Sequence, residues 1–137
     1  MVRLQVNIIS ASTLKNTDGG FIPGDVSDPF CVCEVVGQPE NRVETHVINN
    51  DLHPKWNYQA VLEYDGVSDL RFSVWDKDYI RKQLLGEHVM PAAVVKQGFS
   101  GTVSLTPGRP RILTHDPRLT VKVVMPQETT CGSCSIL

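Results

Sequence analysis

The strongest constraint on the fold is an alternation of apolar and polar residues that recurs in short segments. Residues 2–8 read Val-Arg-Leu-Gln-Val-Asn-Ile, and the same period of two returns in residues 70–74 and 119–123. Because successive side chains of a strand point to opposite faces, such segments are typical of strands with one buried face. Strands of this kind bury their apolar faces by packing one sheet against another.

The remaining strand signals are shorter and lie between clusters of Gly, Pro, Asn and Asp. The only helix-like segment, 92–98, is too short to shape the fold. The pattern therefore predicts an all-β protein, an eight-stranded antiparallel β-sandwich. The five further strand-like runs are 29–36, 42–48, 57–64, 86–91 and 101–105.

Size and charge narrow the class of function. A chain of 137 residues with a formal net charge of −2 is expected to form one domain, and its bulk charge does not favour nucleic acid. We expect the sandwich to occupy residues 1–126 and the polar residues 127–137 to form a flexible tail. The protein is expected to be monomeric.

The sequence contains no recognisable targeting segment at its start and none of the common catalytic motifs. The first residues alternate instead of forming an apolar run, Gly is not at position 2, and no apolar run reaches the roughly 18–20 residues that span a bilayer. We therefore expect a cytoplasmic protein. No Gly-x-Ser-x-Gly, P-loop or His-Glu-x-x-His motif occurs and the four histidines are scattered, which favours a non-enzymatic role. A hydrolase triad is the remaining catalytic alternative.

Cys31 and Cys33 lie two residues apart in a predicted strand. Their Cα atoms would be about 6.5–7 Å apart, at the edge of disulfide reach. We expect both to be reduced and to act as small apolar side chains.

Aspartates follow several predicted strands. Asp28, Asp76 and Asp78 each stand at a strand end, where a sandwich can bring distant loops together. Calcium prefers carboxylate oxygens gathered from such loops. The alternative is that these aspartates make local Asx turns, which is their commonest role.

The spacing of these aspartates within longer motifs resembles the C2 domain family. The resemblance covers about residues 2–125 and implies a sandwich that binds calcium and phospholipid. It also implies the circularly permuted topology, in which the last strand, 119–125, takes the place of a missing first strand. The matching segments are Leu4-x-Val6-x-Ile8-x-x-Ala11-x-x-Leu14 with Ser27-Asp28-Pro29-Phe30, then Pro54-Lys55-Trp56-Asn57, and finally Leu70-x-Phe72-x-Val74-Trp75-Asp76-x-Asp78 with Leu85-Gly86.

The resemblance also assigns candidate calcium ligands. Asp28 would belong to the first calcium-binding loop, with Asp76 and Asp78 in the third. The other first-loop aspartate would be Asp18, with Asp25 as the alternative. The family's fifth aspartate is replaced by Gln83, which offers a carbonyl oxygen but no charge, so the resemblance implies one ion more readily than two.

Apolar and basic residues at the tips of the first and third loops are candidates for membrane contact. The functional interpretation is insertion among anionic phospholipid headgroups, and the alternative is that some of them fold back onto the sandwich. The candidates are Phe21, Ile22, Tyr79, Ile80, Arg81 and Lys82.

The sequence closes with Cys134-Ser135-Ile136-Leu137, which fits a CaaX prenylation box. Its final Leu favours geranylgeranyl, and Cys131 is a candidate for palmitoylation. A redox or zinc site at Cys131 and Cys134 lacks a second ligand pair. The combined expectation is a calcium-dependent, prenylated module bound peripherally to membranes, and the alternative is a calcium-independent protein adaptor on the same lipid tether.

Overall fold

The computed structural model describes residues 1–14, 26–77, 82–106 and 116–126. Within these ranges it has eight strands and one short helix. They are β1 (Val2–Ser12), β2 (Pro29–Val35), β3 (Gln38–Glu44), β4 (Lys55–Tyr64), β5 (Leu70–Asp76), β6 (Gln83–Met90), α1 (Ala92–Gln97), β7 (Phe99–Ser104) and β8 (Arg118–Val124).

The strands form two four-stranded antiparallel sheets. One sheet has the order β4-β1-β8-β7 and the other the order β3-β2-β5-β6. The prediction of an all-β antiparallel sandwich is confirmed. The last strand, β8, was predicted to take the place of a missing first strand, and it lies between β1 and β7.

The core lies between the two sheets and follows the alternation seen in the sequence. Leu4, Val6 and Ile8 are fully buried, whereas Arg3 and Gln5, at the alternate positions, are exposed. Both sheets contribute buried side chains of the same kind, and the largest fully buried ones are Tyr64 of β4 and Phe72 of β5. In β1 and β8, where alternate residues are buried, the register is set by the apolar face of the strand.

The second sheet differs from the sequence prediction at its edges. β3 begins at Gln38 and not at residue 42, because Gly37 adopts a φ of 86° and closes a tight turn directly after β2. The predicted strand 42–48 ends early, although Thr45 and Ile48 still donate backbone hydrogen bonds to β2. β6 also begins earlier than residue 86, at Gln83.

The short helix has a structural role that the sequence prediction dismissed. Asp69 Oδ1 accepts the N–H of Ala92 at 2.9 Å, which satisfies one amide of the first turn. Val95 of the helix is fully buried against the core. α1 therefore covers one part of the sandwich interior.

Cys31 and Cys33 are free and completely buried in β2. Burial raises the pKa of both thiols well above the ordinary value, so they stay protonated. This agrees with the expectation of reduced, apolar side chains.

Asp65 organises the turn between β4 and β5. Its carboxylate accepts hydrogen bonds from the Ser68 hydroxyl and from the backbone N–H groups of Val67 and Ser68, and Gln38 donates to it from β3. These bonds, led by that of the Ser68 hydroxyl, lower the pKa of Asp65 from 3.8 to about 2. The carboxylate thus ties the β2–β3 hairpin to the opposite sheet.

This pKa predicts how the turn responds to acid. Because the pKa of Asp65 is lower in the folded protein than in the unfolded chain, its ionised carboxylate stabilises the fold at pH values above the ordinary carboxyl pKa. This stabilisation is lost as the pH falls through the folded-state pKa of about 2. Asp65→Asn should therefore lower the urea midpoint at neutral pH, and its deficit relative to wild type should shrink below about pH 4. Glu63→Gln, which removes a charge from an adjacent exposed position, serves as the control. An equal deficit at neutral and acidic pH would contradict the prediction.

Candidate functional site

Three connections meet at one end of the sandwich, where β1 leads to β2, β3 to β4 and β5 to β6. The β1–β2 and β5–β6 connections are brought together by the pairing of β2 with β5, in which Pro29 lies opposite Asp76. This register places Asp28, the residue before β2, beside the end of β5. The candidate site is formed by the flanks of these three connections.

Asp28 and Asp76 are joined directly. The Asp28 N–H donates to Asp76 Oδ1 at 2.8 Å, and the Lys77 N–H donates to the Asp28 carbonyl at 3.0 Å. Asp76 is fully buried, and Gln83 lies opposite it across the β5–β6 pair. The structure therefore brings together three of the predicted ligand positions, Asp28, Asp76 and Gln83.

The β3–β4 connection holds the segment that leads into β2. Asn50 N–H donates to Asp28 Oδ1 at 2.8 Å, and Asp51 N–H donates to the Ser27 carbonyl at 3.1 Å. In return, Val26 N–H donates to Asn50 Oδ1 at 3.4 Å. The Asp28 carboxylate is thus oriented by a backbone amide from a different connection.

The same connection also holds the end of β1. Ala11 N–H donates to the Pro54 carbonyl at 3.0 Å and Leu14 N–H to the Leu52 carbonyl at 3.1 Å. Between them, Thr13 N–H donates to His53 Nδ1 at 3.1 Å. Residues 50–54, hereafter the clamp segment, therefore bind both flanks of the β1–β2 connection.

The clamp segment was not among the sequence-predicted parts of the site. Most of its bonds use backbone groups, which every residue other than proline provides, so no side-chain pattern reveals them. The available signal was Asn49-Asn50-Asp51, a run typical of turns, and Asn50 does adopt a positive φ of 53°.

The motifs that suggested the family have local structural causes. Asn57 adopts a φ of 48°, which Asn tolerates better than most residues, at a bulge where β4 places two residues against Ile9 of β1. The bulge leaves Trp56 only 4% exposed. Gly86 is required because a Cβ there would lie 2.9 Å from the Leu105 Cβ.

The side chains of Asp28, Asp76 and Gln83 suit a hard cation. Two carboxylates and one side-chain amide at neighbouring positions offer only oxygen acceptors, which calcium prefers. The described residues alone contain no cluster of three or more His, Cys, Asp or Glu side chains that could hold a metal ion. Asp18, Asp25 and Asp78, the other predicted ligands, lie outside the described residues.

The predicted membrane-contact residues are only partly described. Phe21, Ile22, Tyr79, Ile80 and Arg81 lie outside the described ranges, as do the predicted lipidation sites Cys131 and Cys134. Lys82 is described, and its Nζ lies 5.4 Å from the centroid of the Phe30 ring, within the range of a cation–π interaction. In the described part of the chain, no helix has the length and apolar character needed to cross a bilayer.

Comparisons with known proteins agree with this architecture. The family model of the C2 domain matches residues 2–105. Extended synaptotagmin-1 of Mus musculus is 30% identical over 102 residues, which are 70% of this chain but only 9% of that protein, so the chain spans about a tenth of this curated relative.

Solved structures show the same fold. A C2 domain of plant extended synaptotagmin 1 has a TM-score of 0.72 at 22% identity, covering 90% of this chain and 93% of that one. The paired C2 domains of extended synaptotagmin 2, in a calcium-bound structure, give a TM-score of 0.69 at 23% identity and cover 90% of this chain and 45% of that one. With the family model covering most of its length and the sandwich topology in agreement, the chain belongs to the C2 domain family.

Proposed function

We propose that this protein is a calcium-responsive module that binds phospholipid membranes and is not an enzyme. The observation that carries the proposal is the bond between Asp28 and Asp76, which places two carboxylate-bearing residues from different connections at one end of the sandwich. Calcium sites in proteins are assembled from such oxygen ligands on separate loops.

The residues that would hold the ion can be named. Asp28 and Asp76 supply carboxylates and Gln83 a neutral carbonyl, and we assign Asp18 and Asp78 as further ligands, with Asp25 as the alternative to Asp18. Bound calcium would supply the positive charge that attracts lipid phosphate. The clamp segment fixes the orientation of Asp28 before any ion arrives, because Asn50 N–H already occupies one of its oxygens.

The membrane surface would be reached by the residues that flank this site. Lys82 is exposed and is the last residue of the β5–β6 connection, so its charge is well placed to meet an anionic headgroup. We assign Phe21, Ile22, Tyr79, Ile80 and Arg81 to the same surface. Insertion of a few apolar side chains beside basic ones is a common way for a module to bind the interface reversibly.

The tail would provide a second membrane signal. We propose that residues 1–126 form the folded module and that residues 127–137 carry a prenyl group on Cys134, with Cys131 open to palmitoylation. A single lipid chain gives marginal, reversible anchoring, so stable residence requires a second signal. Calcium bound near Asp28 and Asp76 would supply the signal that complements the lipid chain. The protein would then act in the cytoplasm as a peripheral membrane protein.

A solved structure of a related protein supports the proposal of calcium binding. Extended synaptotagmin 2, which shares the fold, has been solved in a calcium-bound state. The alternative is a calcium-independent protein adaptor on the same lipid tether, and the observation that favours it is Gln83. A neutral amide beside Asp76 contributes less charge to an ion than the carboxylate it replaces.

Calcium should stabilise the folded protein. A ligand that binds only the folded state at about a hundred times its Kd adds roughly 2.7 kcal/mol, which corresponds to a rise in Tm of roughly 5–10 °C for a domain of this size. Asp76→Asn should remove most of the rise, because the amide oxygen can still accept the Asp28 N–H but carries no charge. Thermal melts with and without millimolar calcium measure both effects.

Glu63→Gln is the matched control for that experiment, because it removes one acidic charge at the far end of β4. It should melt with the full calcium-dependent rise. A wild-type Tm that does not change with calcium would reject the calcium proposal and favour the adaptor.

The same residues should control binding to lipid. Unprenylated protein should float with vesicles of phosphatidylcholine and phosphatidylserine only when calcium is present, because the acidic site otherwise repels an anionic surface. Asp76→Asn should remain in the soluble fraction under both conditions. Equal flotation with and without calcium would contradict a calcium-dependent mechanism.

The lipid anchor predicts a covalent modification. In a eukaryotic cell, Cys134 should carry a prenyl group and the three residues after it should be removed. Intact-mass measurement of the cellular protein gives the direct answer, and Cys134→Ser should abolish the modification. Recovery of a chain that still ends in unmodified Cys134-Ser135-Ile136-Leu137 would reject the anchor while leaving the calcium proposal intact.

A further inference from the structure

The end of β1 is held in a strained conformation by His53. Thr13 adopts a φ of 57°, in the left-handed region that β-branched residues rarely occupy. Its N–H donates to His53 Nδ1 at 3.1 Å, between the two backbone bonds that Ala11 and Leu14 make to the clamp segment. Thr13 is thus bound to a titratable side chain at the point where β1 passes into the β1–β2 connection.

The direction of this hydrogen bond determines the state of the imidazole. A backbone N–H is only a donor, so Nδ1 must present its lone pair and the ring must be neutral, with its proton on Nε2. In a protonated ring both nitrogens are donors. Protonation of His53 would therefore place two N–H groups against each other and break the bond to Thr13.

We propose that His53 is a pH-sensitive tie that holds the start of the β1–β2 connection at neutral pH and releases it in acid. Histidine is the side chain that ordinarily changes charge between about pH 5 and 8. Its effect on calcium rests on the proposed function, since Asp28 stands at the other end of the connection that the tie restrains. Acid would then weaken calcium binding before the aspartates themselves are protonated.

Charged residues lie near His53 along the chain. His53 is exposed, so solvent protons reach the ring. Asp51 Oδ1 accepts the His53 backbone N–H at 2.8 Å and places negative charge near it, and Lys55 is the next charged residue along the chain. The facing residues 11–14 carry no titratable side chain. Asp28 meets the clamp segment through the Asn50 amide.

The tie can be measured without calcium. In NMR spectra of the whole chain, the Thr13 amide resonance should shift in step with the His53 ring between about pH 7.5 and pH 5.5, and its protection from hydrogen exchange, corrected for intrinsic rates, should fall. His53→Asn supplies a non-titrating oxygen near the position of Nδ1 and should keep the Thr13 amide protected at both pH values. A Thr13 amide that is insensitive to the titration of His53 would overturn the proposal.

Calcium titrations then test the coupling. When the pH is lowered over the same range, the calcium affinity of the wild type should fall about two- to fivefold more than the calcium affinity of His53→Asn. A difference of this size is expected for the loss of one exposed hydrogen bond. His53→Ala should bind weakly at both pH values, and His46→Gln, at an exposed histidine outside the clamp segment, should behave as wild type. Parallel loss in wild type and His53→Asn would overturn the coupling. Absence of calcium binding at neutral pH would instead refute the proposed function, while the amide measurement would still decide the tie.

Discussion

The candidate site depends on the register between β2 and β5. Pro29 opposite Asp76 fixes where Asp28 lies, and a slip of one residue would turn Asp76 from the interior of the sandwich to the other face of the sheet. That register is itself fixed by the core, since Cys31 and Cys33 are buried opposite Val74 and Phe72. The packing that stabilises the sandwich is therefore the same packing that brings the two carboxylate-bearing residues together.

Sequence reasoning succeeded where one face of a strand is buried. The alternation in β1, β5 and β8 predicted their buried faces directly, and the aspartates at strand ends predicted that the connections beside Asp28 and Asp76 would meet. It failed at β3, an edge strand whose Gln38-Pro39-Glu40-Asn41 start has no apolar alternation, because pairing on one side only places few demands on side chains. It also missed the clamp segment, most of whose hydrogen bonds use backbone N–H and carbonyl groups.

Burial of Asp76 shows why the site is more than a set of surface acids. A carboxylate removed from water requires compensating hydrogen bonds, and Asp28 supplies one through its backbone. Asp28 in turn receives the Asn50 amide on its own carboxylate. The two residues are thus ordered by bonds that run through all three connections, which reduces the entropy that a bound ion would otherwise have to overcome.

Lys77 and Lys82, at the two ends of the β5–β6 connection, link the bonded residues around Asp28 to the outer face of the second sheet. Lys77 donates its N–H to Asp28, and Lys82 lies over Phe30, which is paired with Trp75 on that outer face. Phe30 is only 4% exposed, although the outer face of an antiparallel sheet is usually polar. Both flanks are therefore fixed to the residues around β2. A change in the position of Asp28, whether caused by an ion or by release of the clamp segment, would be transmitted to Lys77 and to the end of β5, because each is bonded to the same residue.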